Sequence, residues 1–412
     1  MPGGLAPSYA PWFGDPSLWL KPGLPVFIKG RGPLLTDVDG NEFIDFVCAH
    51  GTALLGHADD RVTAALSKAA SKGVAFGAAC DLETRLAELF VGRYPGVDLV
   101  RLVNTPVEAL NLAVLLARHT SGRRRLLLAH GYEISGLDAL HPDTNQEHDS
   151  LVRVSYNRIS DFERALKQHA ASLAAVLIEP VGVSAGLIPT ADGFLPSLRE
   201  LCDRYHVLLV FDETATGFRL GSGGAAGRFG VRPDLTVHGP LIGGGMPLSA
   251  CAGRREVMRL AGDQNLLVQW PPASNNLLAL SAGMTTLQVL TEAEVYQTLD
   301  AFVSHLKGGL QAAAKHAGID LQINRATGML SAFFSSRPVT EAGAKMTDMN
   351  TYALFHAHML EHGIYLPPSP LAPWFLSTAH TAEHIDRTID AAHEALRLIA
   401  GADANPPASE QP

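Results

Sequence analysis

The sequence predicts an α/β protein, with a large domain built on a mainly parallel central sheet and a small α+β domain at the C-terminal end. Three short apolar runs, at 125–130, 174–180 and 207–213, have the length of buried parallel strands. They alternate with segments of helical periodicity, and such β-α-β order predicts a parallel sheet covered by helices on both faces. After about residue 290, amphipathic helical segments flank short strands such as "GMLSAFF", which is typical of a smaller α+β unit.

The elements follow from the local patterns, in chain order. The helix predicted for "VEALNLAVLLARH" begins after Pro106, because proline is sterically favoured in the first helical turn. Between the second and third apolar runs, "DGFLPSLRELCDRYH" carries apolar residues at helical spacing. A strand-like run from Leu235 to His238 comes next, before a glycine-rich turn. The long helices of the small domain are predicted for "EAEVYQTLDAFVSHLKGGLQAAAKHAG" and "TAEHIDRTIDAAHEALRLIA".

These patterns divide the 412 residues into four parts. Residues 1–60 are predicted to form an N-terminal arm and segment, the arm being rich in proline and glycine. Residues 61–290 form the large α/β domain, and residues 291–400 form the small C-terminal domain. Residues 401–412, "GADANPPASEQP", have the composition of a disordered tail.

Composition and charge exclude several classes of function. The net charge of −9 gives no basic surface for nucleic acid. Four cysteines without CxxC spacing argue against a zinc site or a disulfide framework and favour a reducing cytoplasm. No stretch approaches the roughly 18 uninterrupted apolar residues of a membrane span. We therefore expect a cytoplasmic protein with no nucleic-acid or membrane partner.

The carboxyl ends of the predicted strands are the expected place for a site, because α/β proteins bind ligands beyond these ends. Asp212 closes an apolar strand, so it is expected to be a partly buried carboxylate able to act as acid or base; the alternative is a structural carboxylate bonded to a neighbour. His238 ends the next strand and is a candidate for proton transfer, the alternative being a core histidine. We do not predict a nucleophilic role for Cys80, because that role needs a lowered pKa. We also predict no metal site at His130, Glu133, His141 and His148, because their spacings are irregular.

From about residue 25 to 400 the chain resembles the class III aminotransferases of pyridoxal phosphate (PLP) fold type I, and within them the branch of glutamate-1-semialdehyde aminomutase. The stretches that carry the resemblance are "LLTDVDGNEFIDFVCAHGTALLGHADDRV", "VRLVNTPVEALNLAVLLAR", "LIEPVG", "LLVFDETATGFRLGSGGAAGRFGVRPDL", "LIGGGMPLSACAGRREVM" and "GIYLPPSPLAPWFLSTAHT". The resemblance implies the fold and a homodimer. Function does not follow from the fold alone, because it depends on the site.

The resemblance also implies a set of cofactor contacts. Such enzymes need a lysine for the Schiff base and an aspartate for the pyridinium nitrogen. Asp212 matches the aspartate and Tyr132 matches the aromatic residue that stacks on the ring. Pro240 stands at the lysine position.

The phosphate contacts implied by the resemblance are altered as well. The family's Ser-Gly-Thr-Glu-Ala turn reads "TPVEA" here, where Pro106 lacks the backbone donor and Val107 lacks the hydroxyl. The partner subunit's Gly-Thr appears as Pro271-Pro272. We therefore expect no cofactor and no metal.

These expectations predict a PLP-independent enzyme, and not a functional aminotransferase or aminomutase. It would act on a small metabolite by acid–base chemistry: dehydration, cyclisation, isomerisation or condensation, in a biosynthetic pathway. The predicted catalytic residues are Asp212, His238 and Glu133; the predicted substrate-binding residues are Tyr132, His50, Thr105, Ser274 and Asn275; the cofactor contacts are taken as lost at Pro240, Pro106, Val107 and Pro272. Two alternatives stay open: a catalytically dead binding or partner protein, and an enzyme that holds PLP or its aminated form, pyridoxamine phosphate (PMP), noncovalently and uses His238 in place of the lysine.

Overall fold

The computed structural model describes residues 25–132, 150–262, 276–340 and 343–404. Within them the strands are, in chain order, β1 Phe27–Arg31, β2 Leu34–Asp37, β3 Glu42–Asp45, β4 Leu99–Val103, β5 Arg125–Ala129, β6 Leu151–Val154, β7 Leu173–Ile178, β8 Leu208–Glu213, β9 Leu235–His238, β10 Ser249–Gly253, β11 Leu321–Ala326, β12 Met329–Phe334, β13 Ile364–Tyr365 and β14 Trp374–Phe375.

The α-helices of the same residues are α1 Asp60–Ala70, α2 Asp81–Arg93, α3 Pro106–Ser121, α4 Ile159–His169, α5 Phe194–Tyr205, α6 Gly224–Phe229, α7 Arg255–Met258, α8 Leu277–Val289, α9 Ala293–Ala317, α10 Met349–Glu361 and α11 Ala382–Ala404. Short 3-10 helices cover Pro240–Gly243, Arg259–Gly262 and Ala344–Met346. No described helix is long and apolar enough to cross a membrane.

The central sheet has seven strands in the order β4-β10-β9-β8-β7-β5-β6. The pairs from β9 through β8, β7 and β5 to β6 are all parallel. Only β10 runs in the opposite direction, because it pairs antiparallel with both β9 and β4. The predicted α/β class with a mainly parallel sheet is confirmed. The carboxyl ends of six strands therefore meet at one edge.

Two smaller sheets accompany the central one. The N-terminal sheet has the order β1-β2-β3-β13, and its last pair joins it in parallel to a strand from near the C terminus. The other sheet, β11-β12-β14, is antiparallel, and α9 and α11 pack against each other beside it. The division into four parts stays a prediction.

Helix α3 begins directly after β4, at the edge of the central sheet where the carboxyl ends of the six strands meet. Thr105 caps it: its side-chain oxygen accepts from the backbone N–H of Glu108 at 3.2 Å. The Glu108 carboxylate in turn accepts from the backbone N–H groups of Asn104 (2.8 Å) and Thr105 (3.4 Å). This reciprocal capping box satisfies three amides and fixes where the helix starts.

Candidate functional site

Two carboxylates lie side by side where β7 and β8 end. In the parallel pairing of these strands Ile178 lies opposite Phe211, so the next residues, Glu179 and Asp212, are neighbours. Side chains alternate between the two faces of a strand. Val210, two residues before Asp212, packs in the α3-facing core cluster, which also holds Tyr132. Asp212 therefore points to the face covered by α3.

The carboxylate of Asp212 is buried and both of its oxygens accept hydrogen bonds. Oδ2 accepts from the Tyr132 hydroxyl at 2.5 Å. Oδ1 accepts from the backbone N–H of Thr214 at 2.9 Å and from its hydroxyl at 2.5 Å. A backbone bond fixes one oxygen, whereas the other accepts only from a side chain among the described residues.

Tyr132 is buried just beyond the carboxyl end of β5, the other neighbour of β7. The guanidinium of Arg153 donates to its carbonyl oxygen at 2.8 Å and so holds its backbone in place. Burial, and then the nearby charge of Asp212, raise the pKa of the Tyr132 hydroxyl well above its usual value. The hydroxyl therefore remains a proton donor at neutral pH.

Glu179 is a third member of this cluster and was missed from the sequence. Its carboxylate accepts from the backbone N–H of Ser184 (3.1 Å to Oε2) and from the Ser184 hydroxyl (2.9 Å to Oε1). Burial, with the charge of Asp212 beside it, raises the pKa of Glu179 to about 8. The sequence does indicate Glu179 as a candidate, because it directly follows one of the predicted parallel strands. Asp212 has a similar position at the end of another predicted strand.

His238 does not join this cluster. In the pairing of β8 with β9, Val237 lies opposite Asp212, and His238 lies opposite Glu213. Because side chains alternate, His238 points to the other face of the sheet. The expected grouping of His238 with Asp212 is therefore corrected by the structure.

The surroundings of His238 are mainly aromatic, and its Nε2 forms a hydrogen bond with the Thr236 hydroxyl at 3.1 Å. Its ring is fully buried among Phe90 (4.8 Å between centroids), Tyr94 (4.8 Å) and Phe218 (5.6 Å). Burial lowers the pKa of His238 to about 3, so the ring is neutral at physiological pH. This is the core histidine that the sequence left open as an alternative.

Three other predicted residues lie on the surface. Thr105 is exposed at the start of α3, and its hydroxyl hydrogen is not needed for the cap. His50 is exposed and has φ +58°, within a run of left-handed residues that starts at Cys48. Val107 is 39% exposed in the first turn of α3, where backbone N–H groups have no helical partner. Thr105 and Val107 thus present donors at a helix N terminus.

Pro240 is half-buried and opens the 3-10 helix that follows β9. Lysine is scarce in this part of the chain. The chain has eight lysines, and none lies between Lys167 and Lys307, the interval that contains β7 to β10. None of those four strands, nor the turns between them, therefore offers an amine.

Several predicted residues fall outside the described part of the chain. These are Glu133, Ser274, Asn275 and Pro272. Within the described residues, no group of three or more His, Cys, Asp or Glu side chains is arranged to hold a metal ion.

Known proteins resemble the chain along most of its length. Residues 21–131 and 120–396 match the family model described as aminotransferase class-III. A glutamate-1-semialdehyde 2,1-aminomutase from Thermomicrobium roseum is 40% identical, and the alignment covers 91% of each chain. Among solved structures, an omega-transaminase from Sphaerobacter thermophilus is 30% identical, with a TM-score of 0.84 and 93% of each chain covered. A transaminase with PLP bound is 27% identical, with a TM-score of 0.83 and 94% of each chain covered.

Proposed function

The chain belongs to the class III aminotransferase family, and on that premise we propose that it is a vitamin B6-dependent enzyme that moves an amino group on a small amino acid or amino aldehyde. We propose further that it holds the cofactor noncovalently, in the aminated form PMP. The observation that carries the proposal is the buried carboxylate of Asp212, fixed by Thr214 at one oxygen and bonded at the other to the Tyr132 hydroxyl.

The relatives correct the prediction of a PLP-independent enzyme. That prediction was wrong, because proteins about 40% identical over nine-tenths of the chain are named glutamate-1-semialdehyde 2,1-aminomutase, and a similar transaminase structure contains PLP. The same relatives overturn the prediction that the chain is not a functional aminotransferase or aminomutase. The faulty step was the inference from Pro240 to the loss of the cofactor.

The described residues fit the aminated cofactor. Asp212 is an acceptor for the protonated ring nitrogen once Tyr132 rotates away from Oδ2. The hydroxyl of Thr105 and the backbone N–H of Val107, in the first turn of α3, are donors for the phosphate. PMP needs no lysine to hold it, which suits a chain with no lysine between Lys167 and Lys307.

The chemistry divides between the cofactor and the protein. When bound, the cofactor ring supplies the electron sink for amino-group transfer. Asp212 holds the ring nitrogen protonated and thereby keeps the ring electron-poor. Tyr132 keeps its phenolic proton, so its hydroxyl, once released from Asp212, is available to donate to a ligand oxygen or nitrogen.

Calorimetric titration of the purified chain with PMP tests the proposal. We expect saturable binding, and we expect Asp212→Asn to weaken it about 10-fold to 100-fold, since a charge-assisted hydrogen bond contributes about 1.5–3 kcal/mol. Asp203→Asn is the control, because Asp203 forms an exposed ion pair on α5. Absence of PMP binding to the wild type would overturn the proposed function.

A borohydride reduction tests whether the cofactor is held without a covalent bond. Wild-type protein is incubated with PLP, reduced with borohydride and weighed by intact-mass spectrometry. We expect no pyridoxyl group to be attached stoichiometrically. One group per chain, located on a single lysine by peptide mapping, would show that a lysine elsewhere in the chain or its partner serves the site.

We also propose that the working form is a homodimer, as the family resemblance implies. The support is an apolar segment after α1, residues 74–79, which is exposed throughout. Val74 is 49% exposed and Phe76 is 54% exposed. Exposed apolar segments of this kind mark interaction surfaces.

A further inference from the structure

Glu179 and Asp212 form a carboxyl pair whose members differ in what surrounds them. Both are buried, and they sit at matching positions on adjacent parallel strands, facing α3. Asp212 accepts three hydrogen bonds, from Tyr132 and Thr214. Among the described residues, Glu179 accepts only from Ser184, through its backbone N–H and its hydroxyl.

Two neighbouring buried carboxylates cannot both ionise cheaply, so one of them keeps a proton. The hydrogen bonds decide which one. Three donor groups contact Asp212 and two contact Glu179, so hydrogen bonding stabilises a negative charge less at Glu179. The pKa of Glu179 is raised to about 8, mainly by burial and then by the charge of Asp212, which makes Glu179 the member that holds the proton at neutral pH.

The other polar and charged groups around the pair leave this assignment in place. From beyond β5, the Tyr132 hydroxyl donates to Asp212 and supports its charge. Arg153 on β6 donates to the carbonyl oxygen of Tyr132. The Tyr156 hydroxyl donates to the backbone carbonyl of Glu179 at 3.1 Å, which fixes the backbone of that residue.

We propose that Glu179 and Asp212 together hold a single proton, and that a cationic ligand nitrogen pairing with Asp212 releases this proton from Glu179. The cation neutralises the charge that favours protonation of Glu179, so the carboxyl ionises and the proton goes to solvent. Glu179 is thus a positioning residue that tunes the charge of Asp212. The part of the proposal that concerns a ligand rests on the proposed function, whereas the shared proton does not.

The shared proton is tested without any ligand. Infrared difference titration follows the carbonyl band of a protonated carboxyl group in the full-length protein. Glu213 is a second buried carboxyl group with a raised pKa, so the Glu179 band is taken as the part of the signal that Glu179→Gln lacks. We expect this part to disappear with a midpoint at about pH 8 in the wild type. Asp212→Asn removes the neighbouring charge, so the midpoint should fall by roughly one pH unit or more. Identical midpoints in wild type and Asp212→Asn would overturn the proposal.

The ligand-linked step is tested by calorimetry with PMP in two buffers of different ionisation enthalpy. The protons released per PMP bound at pH 7 are compared between wild type and Glu179→Gln, which subtracts the titration of PMP itself. We expect the wild type to release an additional fraction of one proton, and its affinity for PMP to rise more steeply with pH up to about 8. Equal proton release in the two proteins would overturn the ligand step.

Failure of the proposed function and failure of the shared-proton proposal can be told apart. If PMP does not bind at all, the proposed function fails, and the infrared comparison with Asp212→Asn still decides whether the carboxyl pair is coupled. If Glu179→Gln does not fold, Ser184→Ala provides the second variant. Removing a hydrogen bond to the ionised form of Glu179 should move the infrared midpoint to higher pH; an unchanged midpoint would contradict the role given to Ser184.

Discussion

The phenolic oxygen of Tyr132 lies 2.5 Å from Oδ2 of Asp212, so the tyrosine occupies the one carboxylate oxygen that the backbone of Thr214 does not fix. We expect a cationic nitrogen that pairs with Asp212 at Oδ2 to compete with this hydroxyl. The hydrogen bond therefore raises the free energy of unfolding and, by competing with the ligand, lowers the affinity for it.

Tyr132→Phe separates these effects. Removal of the hydroxyl leaves a buried carboxylate oxygen without its donor, which should lower the free energy of unfolding by about 1–3 kcal/mol. The same change removes the competitor for Oδ2, so we expect PMP to bind more tightly. Urea denaturation of the variant measures the free energy of unfolding, and calorimetric titration of the same variant measures the affinity for PMP.

Tyr352→Phe is the matched control, because the Tyr352 hydroxyl is also buried and donates to the carbonyl oxygen of Pro367 at 2.6 Å. It should lower stability and leave the affinity for PMP unchanged. Weaker PMP binding in Tyr132→Phe would mean that the hydroxyl contacts the ligand more than it competes with it.

Much of the fold could be predicted from the sequence, because apolar runs of strand length alternate with helical periodicity. The cluster at the carboxyl edge was only half predicted. Asp212 and Tyr132 lie in recognisable motifs, and the structure brings them together. His238 was misplaced, because the pairing of Val237 with Asp212 puts it on the other face, and the register between two parallel strands cannot be deduced from either strand alone. Glu179 was missed for the same reason, since its adjacency to Asp212 depends on strand order and register.

The face of the sheet that holds His238 contains a second buried carboxyl group, Glu213, whose Oε1 has no hydrogen-bond partner among the described residues. Burial raises the pKa of Glu213 to about 8. The unfolded chain loses this proton near pH 4.5, so between pH 4.5 and 8 the folded state binds more protons, and the free energy of unfolding falls as the pH rises.

We therefore expect stability to fall between pH 6.5 and 8, by about 2 kcal/mol at most for one such group. The lowered pKa of His238 acts with the opposite sign, but mainly below pH 6.5, where the unfolded chain takes up the histidine proton. Glu213→Gln should flatten the fall in part, since Glu179 contributes with the same sign. Urea denaturation of the wild type and the variant at pH 5, 6.5 and 8 measures how the free energy of unfolding changes with pH.

Glu163→Gln is the control for this series, because Glu163 is exposed in an ion pair with Arg204. It should leave the pH dependence of the wild type intact. If Glu213→Gln keeps the full slope between pH 6.5 and 8, then Glu213 ionises in the folded protein well below pH 8.

Phe76→Asp tests the homodimer. A charge in the exposed apolar segment 74–79 would be buried without a partner in a dimer interface, which is costly. We expect the mass measured by light scattering to shift from dimer towards monomer. Ile28→Asp is the control, because Ile28 is 69% exposed on β1 of the N-terminal sheet, outside the segment 74–79. An unchanged dimer in Phe76→Asp would place the interface elsewhere.

Position 240 offers the sharpest test of the relation between this chain and its family. Pro240 opens the 3-10 helix after β9, and the resemblance implies that relatives carry the cofactor lysine there. Proline at the first position of a helical turn makes no use of a backbone N–H, so a lysine fits the same backbone. Pro240→Lys should then give a protein that, after PLP and borohydride, carries one pyridoxyl group at position 240.

The matched control is Pro247→Lys, because Pro247 is exposed at the far end of the same glycine-rich turn. It adds an amine of equal charge outside the proposed site, so it should gain no stoichiometric label. Asp212→Asn in the Pro240→Lys background should reduce labelling, because the ring nitrogen loses its partner. Labelling of Pro247→Lys to the same extent, or none at position 240, would show that the pocket does not hold the cofactor in the family's orientation.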